Sequence, residues 1–217
     1  MDKKRKVRIC YGVFFLGLFS LWTYLLRIVD VQSIGPRETA VGFATLNQFF
    51  HNITGVHMSL YHITDWLGLV PVFLGFGFAI LGLAQWIKRN QIRKVDYDIL
   101  VFGGYYLVVL AAYLFFERFV INYRPVLIDG FLEASYPSST TLLVLCVVPT
   151  SIMQFYNRIK CKLVRCSLCW TLALFVVFMV LGRLLSGVHW LSDMIGGILL
   201  SVGLVMLYYG ITYFKSK

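Results

Sequence analysis

Six stretches of about twenty nearly uncharged residues punctuate this sequence. The hydrocarbon core of a bilayer is about 30 Å thick and is crossed by a helix of about 20 apolar residues. The stretches run roughly over 10–29, 66–86, 99–116, 137–156, 166–185 and 190–213. Lipid offers the backbone no hydrogen-bond partners, so each is expected to be a helix. Composition points the same way: 59% of the 217 residues are apolar, 14% are charged and the mean hydropathy is +0.77, more apolar surface than a water-soluble domain hides. The expected fold is therefore all-α, a polytopic bundle of six transmembrane helices. No repeat, low-complexity tract or Pro/Gly-rich linker divides it, so residues 1–217 are expected to form a single domain.

The 20 Lys and Arg sort unevenly between the two sides. Fifteen fall on one side, in Lys3, Lys4, Arg5, Lys6 and Arg8, in the loops 88–94 and 158–165, and in Lys215 and Lys217. The other side holds Arg27, Arg37, Arg118, Arg124 and Arg183. The positive-inside bias then predicts cytoplasmic N- and C-termini. The net charge of +10 has a simple cause in basic loops facing anionic headgroups, which makes membrane lipids the expected partners and leaves no case for nucleic acid. The basic start is followed by an apolar run too long for a signal peptide and reads as a retained span. Five Cys, four of them at cytoplasmic ends, suggest no disulfide framework, and Cys161, Cys166 and Cys169 lack a fourth ligand for zinc.

This topology carries three separated segments to one external face: "ERFVINYRP" after the third span, "YPSSTT" opening the fourth, and "GRLLSGVHWLSD" between the fifth and sixth. Arg124, Ser138, Ser139, Arg183, His189 and Asp193 should then lie at one membrane depth. His189 and Asp193 are four apart, a spacing that shares a helix face, so Asp193 is expected to accept from one ring nitrogen and leave the other as a nucleophile. Arg124 and Arg183 offer forked donors that match phosphate oxygens. Ser138 and Ser139, after Pro137 at a helix start, add hydroxyls and N–H groups at the positive end of a dipole.

On these residues the chain resembles the type 2 phosphatidic acid phosphatase (PAP2) superfamily, which includes membrane lipid phosphatases and soluble vanadium haloperoxidases. Of the family signatures K-x6-RP, PSGH and SR-x5-H-x3-D, the third is present as Arg183, His189 and Asp193, with Gly182 where Ser is usual. The resemblance implies a PAP2-like six-span core, a phosphohistidine formed on His189 and supported by Asp193, and a lipid phosphate substrate held by Arg124 and Arg183. The other signatures depart. Glu117 stands where the first has Lys, although Arg124 and Pro125 are in place, and Thr140 stands where the second has its general-acid His.

A Thr hydroxyl cannot serve as an acid near neutral pH. General acid catalysis typically contributes 10²- to 10⁴-fold and matters most for a poor leaving group, so a lipid diphosphate such as a polyprenyl diphosphate is the favoured substrate. Other readings stay open here. His51, His57 or His62 in the external loop 30–65 could replace the acid. Glu117 either pairs with Arg118 at a helix end or orients Arg124. The function classes are a phosphatase or related lipid phosphotransferase, and a relative that binds lipid phosphate without turning it over. A transporter is disfavoured, since paired broken helices and midplane polar sites are missing. No metal or other cofactor is called for, because two Arg and helix N–H groups can carry transition-state charge.

Overall fold

The computed structural model describes residues 3–212. Tyr213, at the end of the sixth expected span, and Lys215 and Lys217 of the basic C-terminal group lie outside the described residues. Among the described residues eight α-helices follow one another: α1 (Lys3–Leu25), α2 (Ala44–Thr54), α3 (Met58–Leu67), α4 (Leu69–Arg89), α5 (Tyr97–Arg118), α6 (Ser139–Arg158), α7 (Lys162–Leu185) and α8 (Leu191–Thr212). Six helical runs among the described residues are long and apolar enough to cross a membrane, with α3 and α4 counted as one run over Met58–Arg89. The chain is a multi-pass integral membrane protein.

Each expected span is present, with shifted ends. α1 starts at Lys3 rather than near residue 10, because Lys and Arg are good helix formers and extend the helix out of the apolar zone. α7 likewise begins at Lys162. The 30–65 segment, expected as a long external loop, contains helices. It forms α2 and α3, and α3 runs on into α4 through Gly68.

Two helices lie at the centre. α6 and α8 bury about half of their apolar windows, whereas α1 and α4 face mostly outward. α1 packs along α8 over small residues: a Cβ added at Gly203 would lie 2.8 Å from Leu16 Cδ2, and one at Gly210 would lie 2.7 Å from Ile9 Cγ1. The two glycines are seven residues apart, as are Ile9 and Leu16, so one stripe per helix makes the contact. In lipid, where hydrophobic drive between helices is absent, close backbone approach of this kind supplies the packing. Pro149 lies inside α6, which continues through it, and the Tyr209 hydroxyl donates to the Pro149 carbonyl at 3.1 Å.

The α5–α6 connection is a small hairpin. Asp129 and Gly130, with φ of 49° and 83°, form its two-residue turn between Ile128 and Phe131, whose backbones exchange hydrogen bonds. An Asp-Gly pair in this geometry favours strand reversal. Tyr123 then bridges Ala134, the Arg124 N–H donates to the Glu133 carbonyl and the Ser135 N–H to the Asn122 carbonyl. This hairpin fixes Asn122, Arg124, Glu133 and Ser135 against the ends of α7 and α8.

Candidate active site

Three pieces of backbone make the site, at the end of the bundle that carries α2, α3 and the hairpin. The loop from α7 to α8 turns at Gly187 (φ 68°), where a Cβ would collide with the Gly55 carbonyl. Beside it the His57 N–H donates to the Ser186 carbonyl at 2.9 Å. The α2–α3 junction therefore clamps the loop just ahead of His189. On the other side of the loop, Asn47 of α2 accepts from the Ser192 N–H at 3.0 Å and donates to its Oγ at 2.9 Å, capping the first turn of α8. The Trp190 indole donates to the Tyr123 carbonyl at 2.8 Å and ties the loop to the hairpin.

His189 lies in this loop, ahead of α8, so the helical four-residue argument for a direct contact with Asp193 does not apply. Ser135 stands between them. Its Oγ is 2.9 Å from His189 Nδ1 and donates to Asp193 Oδ2 at 2.5 Å. Since the single hydroxyl proton goes to the carboxylate, Nδ1 is the donor toward Ser135, and Nε2 is left with its lone pair. Asp193 is fully buried and also accepts from Asn122 Nδ2 at 3.1 Å and from the Trp190 N–H at 3.0 Å. The last bond is the reciprocal half of a capping box, in which a side chain in the first turn reaches back to the N-cap N–H.

Burial, and then the positive charges of Arg124 and Arg183, hold the His189 imidazole well below its ordinary 6.5, against a hydrogen bond to the Ser135 backbone that raises it. The ring is thus neutral at physiological pH.

Arg124 and Arg183 do converge. Their guanidinium carbons lie 5.5 and 4.7 Å from the centroid of one ring, that of Tyr61 on α3. Arg183 is 1% exposed, donates weakly to Thr64 Oγ1 at 3.4 Å and pairs with Asp65 at 3.4 Å. Arg124 pairs with Glu133 at 3.1 Å. A cleft of about 610 Å³ opens over them, lined also by Tyr113, Glu117 and Ser139.

Five buried polar atoms here have no hydrogen-bond partner among the described residues: Arg124 Nε and Nη1, Arg183 Nε, Ser138 Oγ and His189 Nε2. Ser138 is the N-cap of α6, yet its hydroxyl makes no capping bond, so it stays available to a ligand. Ser139 begins the helix and lines the cleft, where the first N–H groups have no intrahelical acceptor.

The remaining expected residues fall out as follows. Thr140 is buried, its Cγ2 packed 3.6 Å from where a Cβ on Gly68 would sit. Glu117 lines the cleft, but among the described residues it forms no ion pair with Arg118 or Arg124, and the carboxylate that holds Arg124 is Glu133. His57 Nε2 is bound to the Thr54 carbonyl at 2.9 Å, His62 lies against Tyr61, and His51 packs against Trp190, its pKa lowered by burial. Gly182, in the family's Ser position, lies where a Cβ would be 2.9 Å from Thr64 Cγ2. The small residue lets α3 approach α7 and bring Thr64 and Asp65 to Arg183.

Sequence reasoning missed Asn47, Tyr61, Asp65, Asn122, Glu133 and Ser135. Ser135 had a signal, a hydroxyl residue just ahead of the Pro-Ser helix start, and the Asp-Gly turn pointed to a hairpin that brings Glu133 back beside Arg124. Asn47, Tyr61 and Asp65 had none, because only the fold brings α2 and α3 to this end.

The sequence matches the model of the PAP2 superfamily over residues 70–217. The chain belongs to the PAP2 superfamily. The match covers every residue of the three signatures, including the departures at Glu117 and Thr140. Its fold is similar to the crystal structure described as the first transmembrane PAP2 type phosphatidylglycerolphosphate phosphatase, from Bacillus subtilis, with a TM-score of 0.59, 16% identity and coverage of 93% of this chain and 94% of that one. No curated protein matches this sequence.

Proposed function

We propose that this PAP2 protein is a membrane lipid phosphatase that works through a phosphohistidine on His189, with residues 1–217 acting as one unit. One observation carries the reading: the five unpartnered buried atoms on Arg124, Arg183, Ser138 and His189. An unsatisfied buried polar group costs about 1–3 kcal/mol, so such a group of donors facing a nucleophilic lone pair fits a bound tetrahedral anion.

In this mechanism Arg124, Arg183, the Ser138 hydroxyl and the first N–H groups of α6 hold the phosphoryl oxygens. His189 Nε2 attacks phosphorus, the bond to the leaving oxygen breaks, and the electron pair departs with that oxygen. The imidazolium charge that develops on His189 is stabilised by the Asp193 carboxylate through the Ser135 bridge, with no proton passing to Asp193. Water then displaces the phosphoryl group from Nε2 and frees phosphate.

The favoured substrate is a lipid diphosphate such as a polyprenyl diphosphate. Its leaving group is already an acidic phosphate and departs without the acid that Thr140 cannot supply. The site is proposed to face away from the cytoplasm, with both termini inside, on the strength of the Lys and Arg distribution. The similarity to a transmembrane lipid phosphatase supports the reaction class.

The test is phosphate release by purified protein across a panel of lipid mono- and diphosphates. Diphosphates should be turned over fastest, and His189→Ala should release none. A clear preference for monophosphates overturns the diphosphate assignment. Lipid phosphate that binds but is never cleaved overturns the phosphatase reading.

A further inference from the structure

The phosphoryl enzyme must still be cleaved by water. A diphosphate substrate relieves the first half-reaction of its need for an acid, but the second half is the same whatever the leaving group, because water attacking phosphorus must lose a proton. Thr140 is as poor a base as it is an acid. Some other group at the site has to accept that proton.

Three carboxylates line the cleft: Asp65, Glu117 and Glu133. Asp65 is engaged by Arg183 and Glu133 by Arg124. Glu117 alone of the three is in no ion pair among the described residues. It sits in the last turn of α5, and it borders a second, smaller recess between α5 and the start of α6, shared with Tyr113, Ser135, Pro137 and Ser139. That recess has about 10 Å³ of room for a water centre, about the size that holds one molecule, and its polar walls offer the hydrogen-bond partners a held water requires. Glu117 is thus the carboxylate common to the phosphate cleft and to a water-sized pocket beside it.

The sequence departures fit this arrangement. A lysine at position 117 would add a third cation to the anion site, whereas the carboxylate found there adds a proton acceptor. The exchange accompanies the loss of an imidazole at position 140, so one departure makes good the chemistry that the other removes.

We propose that Glu117 is the general base for hydrolysis of the phosphohistidine. A water in the recess donates one proton to the Glu117 carboxylate as its oxygen attacks phosphorus. The P–N bond to His189 Nε2 breaks with its electron pair returning to the ring, and inorganic phosphate leaves. The Glu117 proton then passes to solvent through the open cleft. This inference rests on the phosphatase reading above and gives Glu117 a role in the second step only.

The experiment separates the two steps. Full-length wild-type and Glu117→Gln protein are mixed with farnesyl diphosphate labelled on its terminal phosphorus. Acid-labile, alkali-stable label on the protein is followed together with free phosphate. In Glu117→Gln, labelled protein should form at the wild-type rate and accumulate toward one per chain, while steady-state turnover falls about 100-fold, within the range for loss of a general base. The early burst itself shows that the variant is folded. Turnover of Glu117→Ala should rise severalfold on adding formate, which supplies a carboxylate to the gap.

Turnover of Glu117→Gln within about threefold of wild type overturns the proposal, as does loss of protein labelling and turnover together. A wild-type protein that neither takes up label nor releases phosphate overturns the phosphatase reading instead, and this inference with it.

Discussion

The two ends of the bundle both gather arginines and carboxylates, and they treat them in opposite ways. At the end away from the candidate site, Arg158 of α6 donates from all three nitrogens: Nε to Gln154 at 3.1 Å, Nη1 to Asp96 at 3.1 Å and Nη2 to Asp98 at 2.6 Å. Arg89 pairs with Asp96 from the other side at 2.8 Å. Every Arg158 nitrogen has an acceptor, and these side chains are partly open to solvent. At the site end, Arg124 and Arg183 are far more buried, yet three of their nitrogens have no acceptor. Burial should demand more complete pairing, not less. An arginine paired at every nitrogen holds the fold together, whereas the unpaired buried nitrogens of Arg124 and Arg183 are what the proposed phosphate site would use.

That contrast can be broken by mutation. The largest expected effect is at the unsaturated end: Arg183→Gln or Arg124→Gln should lower kcat/KM by about 10²- to 10³-fold, as for removal of one preorganised oxyanion donor. Lipid phosphatase assays in detergent would measure it, and a variant that loses only thermal stability would erase the distinction between the ends.

Ser135→Ala should come next. It removes the bridge between His189 and Asp193 without touching either, and loss of a hydrogen bond to a charged group is worth about 1.5–3 kcal/mol, roughly 10- to 100-fold in turnover. Partial recovery in Ser135→Thr would show that the hydroxyl, and not the packing, matters.

The pH profile sharpens the comparison further. Burial and the two guanidinium charges depress the His189 pKa below 6.5. The neutral, nucleophilic form therefore persists where an ordinary imidazole would be protonated, and it is lost only as pH falls through the lowered value. Burst-phase labelling of the protein should accordingly remain near its maximum somewhat below pH 6.5. An acid limb centred at 6.5 or above would contradict the charge environment described here.

The smallest effect belongs to the saturated end. Asp98→Asn should leave turnover unchanged and cost about 1 kcal/mol of stability or less, as expected for a half-exposed ion pair, a change of a few degrees in Tm. Asp96 in the same network has its pKa lowered, chiefly by its bond from Arg89. Its contribution is present above its ordinary 3.8 and fades as pH falls through the lowered value.

The spans were legible because lipid leaves the backbone few options, and an apolar run of the right length reads as a helix without tertiary information. Arg124, Arg183 and His189 were legible through topology, since sorting basic residues by loop places them on one side, and through signature spacing. The link between His189 and Asp193 was misread because the four-residue rule holds only within a helix, and His189 precedes one. Tyr61, Asp65 and Asn47 were not legible at all. Their positions depend on α2 and α3 folding back over the end of the bundle, a long-range arrangement with no local pattern. The ends of α1 and α7 ran past the apolar windows because hydropathy measures lipid exposure, whereas the helix continues wherever its residues favour it.

The family match begins at residue 70, and every signature residue follows it. Beyond Asn122, Glu133 and Ser135, several groups that steady those residues or their neighbours come earlier: Thr23 hydrogen-bonded to Tyr136, Trp22 to the Ser192 carbonyl, Asn47 to Ser192, Tyr61 beneath both guanidinium groups and Asp65 on Arg183. A shortened protein starting at position 70 would keep every signature position of this chain and lose part of the grammar that orders them. The first third of the chain is thus where a change can disturb the candidate site without touching a signature residue.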